Sequence, residues 1–247
     1  MEGNTAGLLS IAEESARSVG VFLKSYRATV IKDWDKDIKI DADREAHTMI
    51  LEKLRETGIA ILSEEDLVHD FSGEIKWIVD PLDGSVNFLR GIPQSAVSIA
   101  LVRHGEPILG VVYDFTREEM FSGIVGEGAW LNGSTISVST SGEKSEAIIM
   151  TGFPSYTDYS TKALGEYISL VQSFKKIRVI GSAALSLAYV ASGRADAYYE
   201  KDIKIWDVAA GLALVKSAGG NYSSIELDTD GGCTVFAYST HNLTSIT

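Results

Sequence analysis

Residues 75–90 read IKWIVDPLDGSVNFLR, the most informative stretch of this 247-residue chain. Its first part, Ile75–Val79, is apolar except for Lys76 and predicts a strand. Asp80 and Asp83 follow on either side of a proline that restricts the backbone. The two carboxylates are therefore predicted to point at one place, on a turn at the end of the strand.

The residues after Asp83 predict a turn that binds phosphate. Gly84 and Ser85 precede a short predicted helix, Val86–Arg90. Free N–H groups at a helix start, with the positive end of the helix dipole, suit a phosphate oxygen. A simpler interpretation stays open, in which Asp80 and Asp83 form only a turn and a helix cap.

Further carboxylates follow other apolar runs. Glu64 and Glu65 come after the predicted strand Ile59–Leu62, and Asp207 opens a predicted helix after Trp206. Taken singly, a glutamate pair usually faces solvent, and an aspartate at a helix start is usually its N-cap. Together with the two aspartates described above, these groups would repel one another unless cations neutralise them. Oxygen ligands of this kind indicate Mg²⁺ or Mn²⁺.

The remaining pattern predicts helices, then an antiparallel sheet, then alternating strands and helices. Charged residues from Lys32 to Asp37 predict an exposed loop, and the Ser/Thr/Gly-rich segment 134–145 is typical of a subdomain boundary. Helices are predicted near residues 8–23, 41–57, 161–174, 183–192 and 207–217. Further strands are predicted at residues 97–102, 108–113, 120–125, 129–131, 147–151, 177–180 and 195–199.

Composition narrows the class of protein. The 22 basic and 34 acidic residues give a net charge of −12, which argues against nucleic acid or an anionic membrane as partner. An anionic small substrate remains compatible, because bound cations can hold it. The single Cys233 excludes an internal disulfide and indicates a reducing, cytoplasmic compartment. The N-terminal residues lack the basic start of a signal peptide, and no apolar run is long enough to span a membrane.

Five motifs in the right order resemble those of the inositol monophosphatase family. The family's first signature, DP(I/L)DGTxNF, corresponds here to DPLDGSVNF, and its second, WDxAAG, to WDVAAG. The match covers nearly the whole chain. The resembling segments are residues 63–65, 80–88, 181–184, 192–200 and 205–211.

The resemblance implies a layered α+β fold, αβαβα, in two packed subdomains. Residues 1–135 would carry most metal ligands, and residues 136–247 would carry Asp207 and Glu200. It also implies a Mg²⁺-dependent, Li⁺-sensitive phosphatase with two or three Mg²⁺ per site, Mn²⁺ being possible. The resemblance implies a homodimer, with a tetramer as the alternative.

Metal ligands carry over from the resemblance residue by residue. Asp80 would bridge two metals, and Glu65 would lie beside them or near a third. The first metal would be held by Glu64, Asp80 and the Leu82 carbonyl. The second would be held by Asp80, Asp83 and Asp207.

Catalytic and substrate-binding roles carry over in the same way. Ser85, where the family usually has Thr, would orient the attacking water with Glu64, and the Gly84 and Ser85 N–H groups would bind phosphate. Asp43 would sit by the metal-bound water; alternatively, it caps the second helix. The family element that leads to Asp43 has Val and Thr where this chain has Lys39 and Ile40. Substrate contacts would come from Asp83, Ser182, Ala183 and Glu200.

The reaction implied is hydrolysis of myo-inositol monophosphate by direct in-line attack of a metal-activated water. No Cys, Ser or His is arranged as a nucleophile. Glu200 favours this substrate, because the resembling enzymes use it to accept hydrogen bonds from substrate hydroxyls; a strand-end glutamate facing solvent is the alternative.

Other readings of the same site stay open. Fructose-1,6-bisphosphatase, alone or as a second activity, and a 3′-phosphonucleotide phosphatase would use the same metals. A non-catalytic regulatory protein on this scaffold is the alternative from another class. The expected partner is a small phosphorylated polyol or sugar.

Overall fold

The computed structural model describes residues 5–26, 30–34, 37–66, 71, 73–140, 142–153, 158–223, 226–240 and 243. The helices are α1 (Thr5–Ser25), α2 (Asp41–Arg55), α3 (Ser85–Arg90), α4 (Thr161–Gln172), α5 (Ala183–Ala191) and α6 (Ile205–Ser217). The strands are β1 (Val30–Trp34), β2 (Asp37–Ile40), β3 (Ala60–Ser63), β4 (Ile75–Asp83), β5 (Ala96–Arg103), β6 (Glu106–Asp114), β7 (Glu119–Ile124), β8 (Gly128–Leu131), β9 (Ser134–Ile136), β10 (Ile148–Thr151), β11 (Lys176–Val179), β12 (Ala197–Lys204), β13 (Asn221–Tyr222) and β14 (Gly232–Tyr238).

The first two layers are α1 and α2 against a seven-stranded sheet in the order β3-β4-β5-β6-β7-β8-β9. Neighbouring strands are antiparallel except β3 and β4, which are parallel. Apolar residues recur every three or four positions along both helices, so one face of each packs on the sheet. Their fully buried apolar members are Ala12, Ala16 and Val19 on α1 and Ala42, Ala46, Ile50 and Leu54 on α2.

The middle layer consists of α5 and α6, which lie between the two sheets. Ten of the thirteen residues of α6 are buried, because the helix is apolar on every side. Small residues let it approach the larger sheet closely. A Cβ at Gly110 of β6 would collide with the backbone carbonyl of Ala210.

The last two layers are a five-stranded sheet in the order β11-β10-β12-β14-β13 and α4 on its outer face. Strands β10, β11 and β12 are parallel, whereas β14 runs antiparallel to β12 and β13. Leu170 and Phe174, from α4 and the residues after it, pack on Ile149, Tyr199 and Phe236 of the sheet. The order helix, sheet, helix, sheet, helix confirms the αβαβα fold.

Five strands, β1, β2, β9, β13 and β14, differ from the expectations. The loop expected at 32–37 is wrong at residues 32–34 and 37, which lie in the antiparallel strands β1 and β2, whereas residues 35 and 36 lie outside the described residues. Strand β9 lies inside the segment expected to separate subdomains, and β13 and β14 were not expected at all. The larger sheet uses residues 60–136 and the smaller 148–238; a division into subdomains at 135 and 136 stays a prediction. Within the described ranges, no helix is both long and apolar enough to cross a membrane.

Candidate active site

Three carboxylates from different elements meet beside the larger sheet. One oxygen each from Glu64, Asp80 and Asp207 lies within 4.8 Å of the other two. The parallel register of β3 and β4 explains the first pair. Ser63 pairs with Val79, and the Glu64 N–H donates to the Val79 carbonyl at 3.2 Å. Glu64, which directly follows β3, therefore lies beside Asp80 of β4, and α6 supplies Asp207.

The charges of this cluster destabilise one another. Asp80 is buried, and removal from water raises its pKa well above the ordinary value, with further increases from Glu64, Asp207 and Asp83. The pKa of Asp207 is raised in the same way, by removal from water first and then by Glu64 and Asp83. A divalent cation would relieve this repulsion, and an all-oxygen donor set suits a hard ion. The residues present therefore fit a metal site.

Strand β4 continues through Asp83, so the turn expected after Val79 is wrong. Its pairing with β5 shifts there, because Asp80 pairs with Ser98 and Asp83 with Ala96. The segment is a bulged strand, a common device for re-aiming side chains beside active sites. Asp80 Oδ1 accepts a hydrogen bond from the Leu82 N–H at 2.9 Å.

Gly84, and not Asp83, is the N-cap of α3, which overturns the cap interpretation of Asp83. Its φ is +81°, and a Cβ there would lie 2.7 Å from the Gln94 carbonyl oxygen, so only glycine fits. Ser85 begins the helix, and its hydroxyl donates to the Leu82 carbonyl at 3.0 Å. Phosphate binding by Gly84 and Ser85, and metal binding by the Leu82 carbonyl, stay predictions.

Asp83 lies outside the group of three and contacts the start of α5. Its Oδ2 accepts hydrogen bonds from the Ser182 hydroxyl and from the Ala184 N–H at 3.1 Å. Ser182 is the N-cap of α5 and accepts the Leu185 N–H at 3.2 Å. Burial raises the pKa of Asp83 to about 6, although these hydrogen bonds oppose the rise. Three of the residues expected to contact substrate, Asp83, Ser182 and Ala183, are thus brought together.

Asp207 is the third residue of α6 and not its N-cap, which is Lys204. Asp207 Oδ2 accepts the Lys204 N–H at 3.3 Å, one half of a capping box. The expectation that Asp207 opens the helix is therefore wrong by two residues. The carboxylate still has an oxygen that can face the cluster.

Glu200 is only 7% exposed, so the solvent-facing interpretation of this residue is wrong. The Tyr198 hydroxyl donates to Glu200 Oε2 at 2.8 Å. Burial raises the pKa of Glu200 to about 7, and the charge of Asp83 adds to the rise. The charge of Glu200 also raises the pKa of Asp207, so the Glu200 carboxylate lies near the acidic cluster.

Asp43 and Glu65 keep their expected roles as predictions. Asp43 is buried in the first turn of α2, which begins at Asp41, so Asp43 is not its N-cap. Glu65 lies in the turn after β3, and its N–H donates to the Ser63 hydroxyl at 3.4 Å. Among the described residues, the group that shares oxygens within 4.8 Å includes neither of them.

Two contributors were not expected from the sequence. The Asn87 amide donates to the carbonyls of Gln94, Ile180 and Gly181 at 2.8, 2.9 and 3.1 Å, which holds α3 against the segment before α5. Tyr198, the partner of Glu200, is the second. The period-two alternation of β12, which puts residues 198 and 200 on one face, is the signal that could have identified Tyr198. For Asn87 the signal is its place in the sequence DPLDGSVNF, where it supplies the Asn of the first family signature.

Comparisons with known proteins agree with this geometry. A family model described as the Inositol monophosphatase family matches residues 4–243. The Nus factor SuhB of Xylella fastidiosa is 41% identical over 220 residues, 86% of this chain and 80% of that protein. The fructose-1,6-bisphosphatase/inositol-1-monophosphatase of Thermotoga maritima is 40% identical over 188 residues, 75% of this chain and 70% of that protein. The structure of an inositol monophosphatase from Anabaena has a TM-score of 0.84 and 34% identity, and the match covers 96% of this chain and 92% of that one.

Proposed function

The chain belongs to the inositol monophosphatase family, and we propose that it hydrolyses myo-inositol monophosphate with the help of bound Mg²⁺. The meeting of Glu64, Asp80 and Asp207 carries the proposal. Carboxylates that raise one another's pKa destabilise the folded protein. A reaction that depends on a bound cation explains why they are placed together.

Mg²⁺ would be held by Glu64, Asp80 and Asp207, and Mn²⁺ could replace it. The Asp83 carboxylate would also bind the metal after its side chain rotates away from the start of α5. When bound, the ions would lower the pKa of a water and neutralise phosphate charge. The site is fixed in the fold before substrate arrives, because Glu64 directly follows β3, Asp80 lies at the bulge of β4 and Asp207 comes from a core helix.

The protein groups around the metal cluster would orient the ester. The Gly84 and Ser85 N–H groups face the phosphate in this proposal, and the Ser85 hydroxyl helps to position the attacking water with Glu64. Glu200, held by Tyr198, accepts hydrogen bonds from the hydroxyls of the polyol. The hydrolysis is direct, with no covalent enzyme intermediate.

Phosphate release from three esters tests this function. Inositol 1-phosphate, fructose 1,6-bisphosphate and adenosine 3′,5′-bisphosphate are compared with Mg²⁺, with Mn²⁺, with added Li⁺ and after EDTA treatment. We expect release that needs the metal, is inhibited by Li⁺ and is fastest with inositol 1-phosphate. Undiminished release after exhaustive EDTA treatment would contradict the metal role.

Fructose-1,6-bisphosphatase activity is the second candidate. It is favoured by the Thermotoga maritima relative, whose name joins both activities. The same three-substrate panel decides, since a dual enzyme would release phosphate from both esters at comparable kcat/KM.

A binding function without catalysis is the candidate from another class. Several relatives, including the protein from Xylella fastidiosa, are named Nus factor SuhB. The intact set of Glu64, Asp80, Asp83 and Asp207 supports catalysis, because a purely binding role would not need it. Absence of metal-dependent phosphate release from every ester in the panel would favour the binding role.

We further propose a homodimer in a reducing, cytoplasmic compartment. The outer edge of the smaller sheet, β11, supports the dimer, because Ile177 and Val179 on it are 38% and 57% exposed. The buried lone thiol of Cys233 supports the compartment. Light scattering coupled to gel filtration would check the dimer, and Val179→Lys should dissociate it if β11 lies in the interface.

A further inference from the structure

A cavity lies at the end of α6 that is remote from the acidic site. Its volume is about 250 Å³, close to the lower end of the range for small-molecule sites, about 300 Å³. Asp207 lies in the first turn of this helix and Lys216 in its last turn, about 14 Å further along the axis. The walls include Lys216, Gly219 and Gly220 at the helix end, Asn221 of β13 and Ser239 after β14.

One wall of this cavity carries a buried serine hydroxyl. Ser239 is only 3% exposed, and within the described part of the chain its hydroxyl makes no hydrogen bond. The Ser239 N–H donates to the Asp196 carbonyl at 2.9 Å, so the backbone holds the residue in place. A buried hydroxyl without a partner destabilises the folded protein. A ligand that accepts a hydrogen bond from Ser239 would remove this penalty.

The charge on the cavity wall is positive. Among the described residues that line it, Lys216 is the only charged one, although the whole chain has a net charge of −12. Lys216 Nζ donates to Asn221 Oδ1 at 2.8 Å, which holds the ammonium group at the exposed rim of the cavity. An ammonium group has three hydrogens, so it can donate to a ligand as well. The wall therefore attracts an anion.

Two carboxylates in the surroundings of the cavity bind other donors. The side chain of Asp196 accepts the Ser139 hydroxyl and the Ile148 N–H. The Glu106 carboxylate accepts the Tyr222 hydroxyl at 3.0 Å. Neither acidic side chain is among the described residues that line the cavity, so the ammonium group on its wall stays available for a ligand.

The carbonyl groups at the end of α6 are already hydrogen-bonded. Helix ends usually leave their last carbonyl oxygens without a partner in the helix, and such oxygens could bind a cation. Here the carbonyls of Leu214, Val215 and Lys216 accept N–H groups from the turn that follows, at distances of 2.9–3.2 Å. The cavity therefore presents hydrogen-bond donors to a ligand, which again favours an anion.

We propose that this cavity binds a small hydroxylated anion, with one carboxylate or phosphate group beside Lys216 and an oxygen atom that accepts the Ser239 hydroxyl. One cation on the wall matches one anionic group, and the volume suits a compact molecule. The site is separate from the acidic cluster, and its existence does not depend on the proposed phosphatase function.

Three compact probes test the cavity by isothermal titration calorimetry and NMR in EDTA, where the metal-free acidic cluster repels anions. Glycerate carries a carboxylate, glycerol 3-phosphate carries a phosphate, and glycerol carries no charge. We expect saturable binding of at least one anion at one site per chain, and none of glycerol. The amide signals of Gly219 and Gly220 should shift, whereas that of Gly84 at the acidic site should not. The anion that binds more tightly identifies the preferred anionic group.

Failure of both anions to bind would overturn the proposal. Binding of glycerol as tight as that of the anions would also overturn it, because the ammonium group would then contribute nothing. A shift at Gly84 without shifts at Gly219 and Gly220 would place the anion at the acidic site instead.

Two substitutions test the side chains that would bind the anion. Lys216→Met and Ser239→Ala should each weaken binding of the tighter probe by about 10- to 150-fold, the range for one hydrogen bond to a charged group. Lys53→Met is the control for the first, because Lys53 also lies in the last turn of a helix and has a side-chain partner, Glu14. Ser15→Ala is the control for the second, because the Ser15 hydroxyl is also buried and makes no hydrogen bond within the described residues.

Both controls should bind the probe with wild-type affinity. Thermal melts check that each variant folds, and the exposed position of Lys216 makes Lys216→Met the variant that decides if Ser239→Ala does not fold. Wild-type affinity in a folded Lys216→Met or Ser239→Ala variant would reject the site, and so would equal losses in the controls.

Discussion

Ser182 donates a hydrogen bond to Asp83 although 99 positions separate them in the chain. The same hydroxyl accepts the Leu185 N–H, so one side chain both caps α5 and holds a carboxylate of the larger sheet. The acidic site and the helix layer are thereby joined through this hydroxyl and through the Ala184 N–H, which also donates to Asp83.

Ser182→Ala should lower the free energy of unfolding by about 1–3 kcal/mol, because it removes a helix cap and a hydrogen bond to a buried carboxylate. Urea unfolding in EDTA measures this. Ser182→Thr keeps the hydroxyl and should retain most of the stability. Ser169→Ala removes a hydroxyl that bonds only within α4 and serves as the control. Equal stability of Ser182→Ala and wild type would show that the contact contributes nothing.

Asp207→Asn separates a metal role from a capping role. Asparagine can still accept the Lys204 N–H, so stability without metal should stay the same or rise as a repelling charge disappears. Phosphate release should fall by at least about 100-fold, and the half-saturating Mg²⁺ concentration should rise. Thermal melts and a Mg²⁺ titration on one preparation measure both effects.

Asp228→Asn is the matched control for that variant. Asp228 also accepts backbone N–H groups, from Asp230 and Gly232, but it is exposed. Its substitution should leave the rate and the Mg²⁺ dependence unchanged. A wild-type rate and Mg²⁺ dependence in Asp207→Asn would remove Asp207 from the site.

The metal-free protein should be more stable near pH 5 than near pH 8. Asp83 and Glu200 have folded pKa values of about 6 and 7, above those of the unfolded chain. The folded state therefore binds more protons, and stability falls as pH rises from about 4 through these values. We expect a loss of about 1–3 kcal/mol, or about 3–10 °C in Tm.

Mg²⁺ should reduce this pH dependence, because the bound cation stabilises the ionised carboxylates that destabilise the metal-free fold at high pH. Thermal melts at pH 5 and pH 8, in EDTA and in Mg²⁺, give the four values needed. A Tm in EDTA that rises between pH 5 and pH 8 would contradict the buried-carboxylate explanation.

Gly84→Ala should destabilise the fold by at least about 2 kcal/mol. The left-handed backbone disfavours any side chain, and the new Cβ would press on the Gln94 carbonyl. Gly91 offers a matched control, since its φ is +68° but a Cβ there meets nothing within 4 Å. Gly91→Ala should cost only about 1–2 kcal/mol. Equal losses in urea unfolding would show that backbone conformation alone matters at Gly84.

Glu200→Gln should slow inositol 1-phosphate more than p-nitrophenyl phosphate, which has no polyol hydroxyls. Loss of a charged acceptor costs about 1.5–3 kcal/mol, or about 10- to 150-fold in kcat/KM. The amide oxygen can still accept the Tyr198 hydroxyl, so the fold should persist. The exposed Glu127→Gln should change neither substrate. Equal losses on both esters would show that Glu200 has no substrate-specific role.

Local chemistry made most of the fold predictable. The apolar run Ile75–Val79 correctly predicted a strand, and the spacing of apolar residues in α1 correctly predicted a helix. Both patterns arise because apolar side chains must face the core. The hairpin of β1 and β2 was missed because its charged residues resemble a loop. Strand β14 was missed because glycine, cysteine and threonine interrupt its pattern, while pairing with β12 stabilises it.

The site was predictable only where its residues are neighbours in the sequence. Asp80, Gly84 and Ser85 lie in one stretch, and backbone rules constrain them directly. The contact of Asp83 with Ser182, in contrast, depends on how two layers meet. The placement of Asp207 within the first turn of α6 likewise follows from where that helix can begin between the sheets.

Asp207 lies on α6, which is enclosed between the two sheets. The position of Asp207 in the acidic site is therefore fixed by the rigid central core. Helix α6 cannot shift without disrupting its contact with Gly110 and the layers on either side. The conformational entropy of the Asp207 side chain is therefore lost when the protein folds, and not when the metal ion binds. Amide protons in the middle of α6 should accordingly exchange with solvent only through global unfolding, and metal release should leave their protection intact.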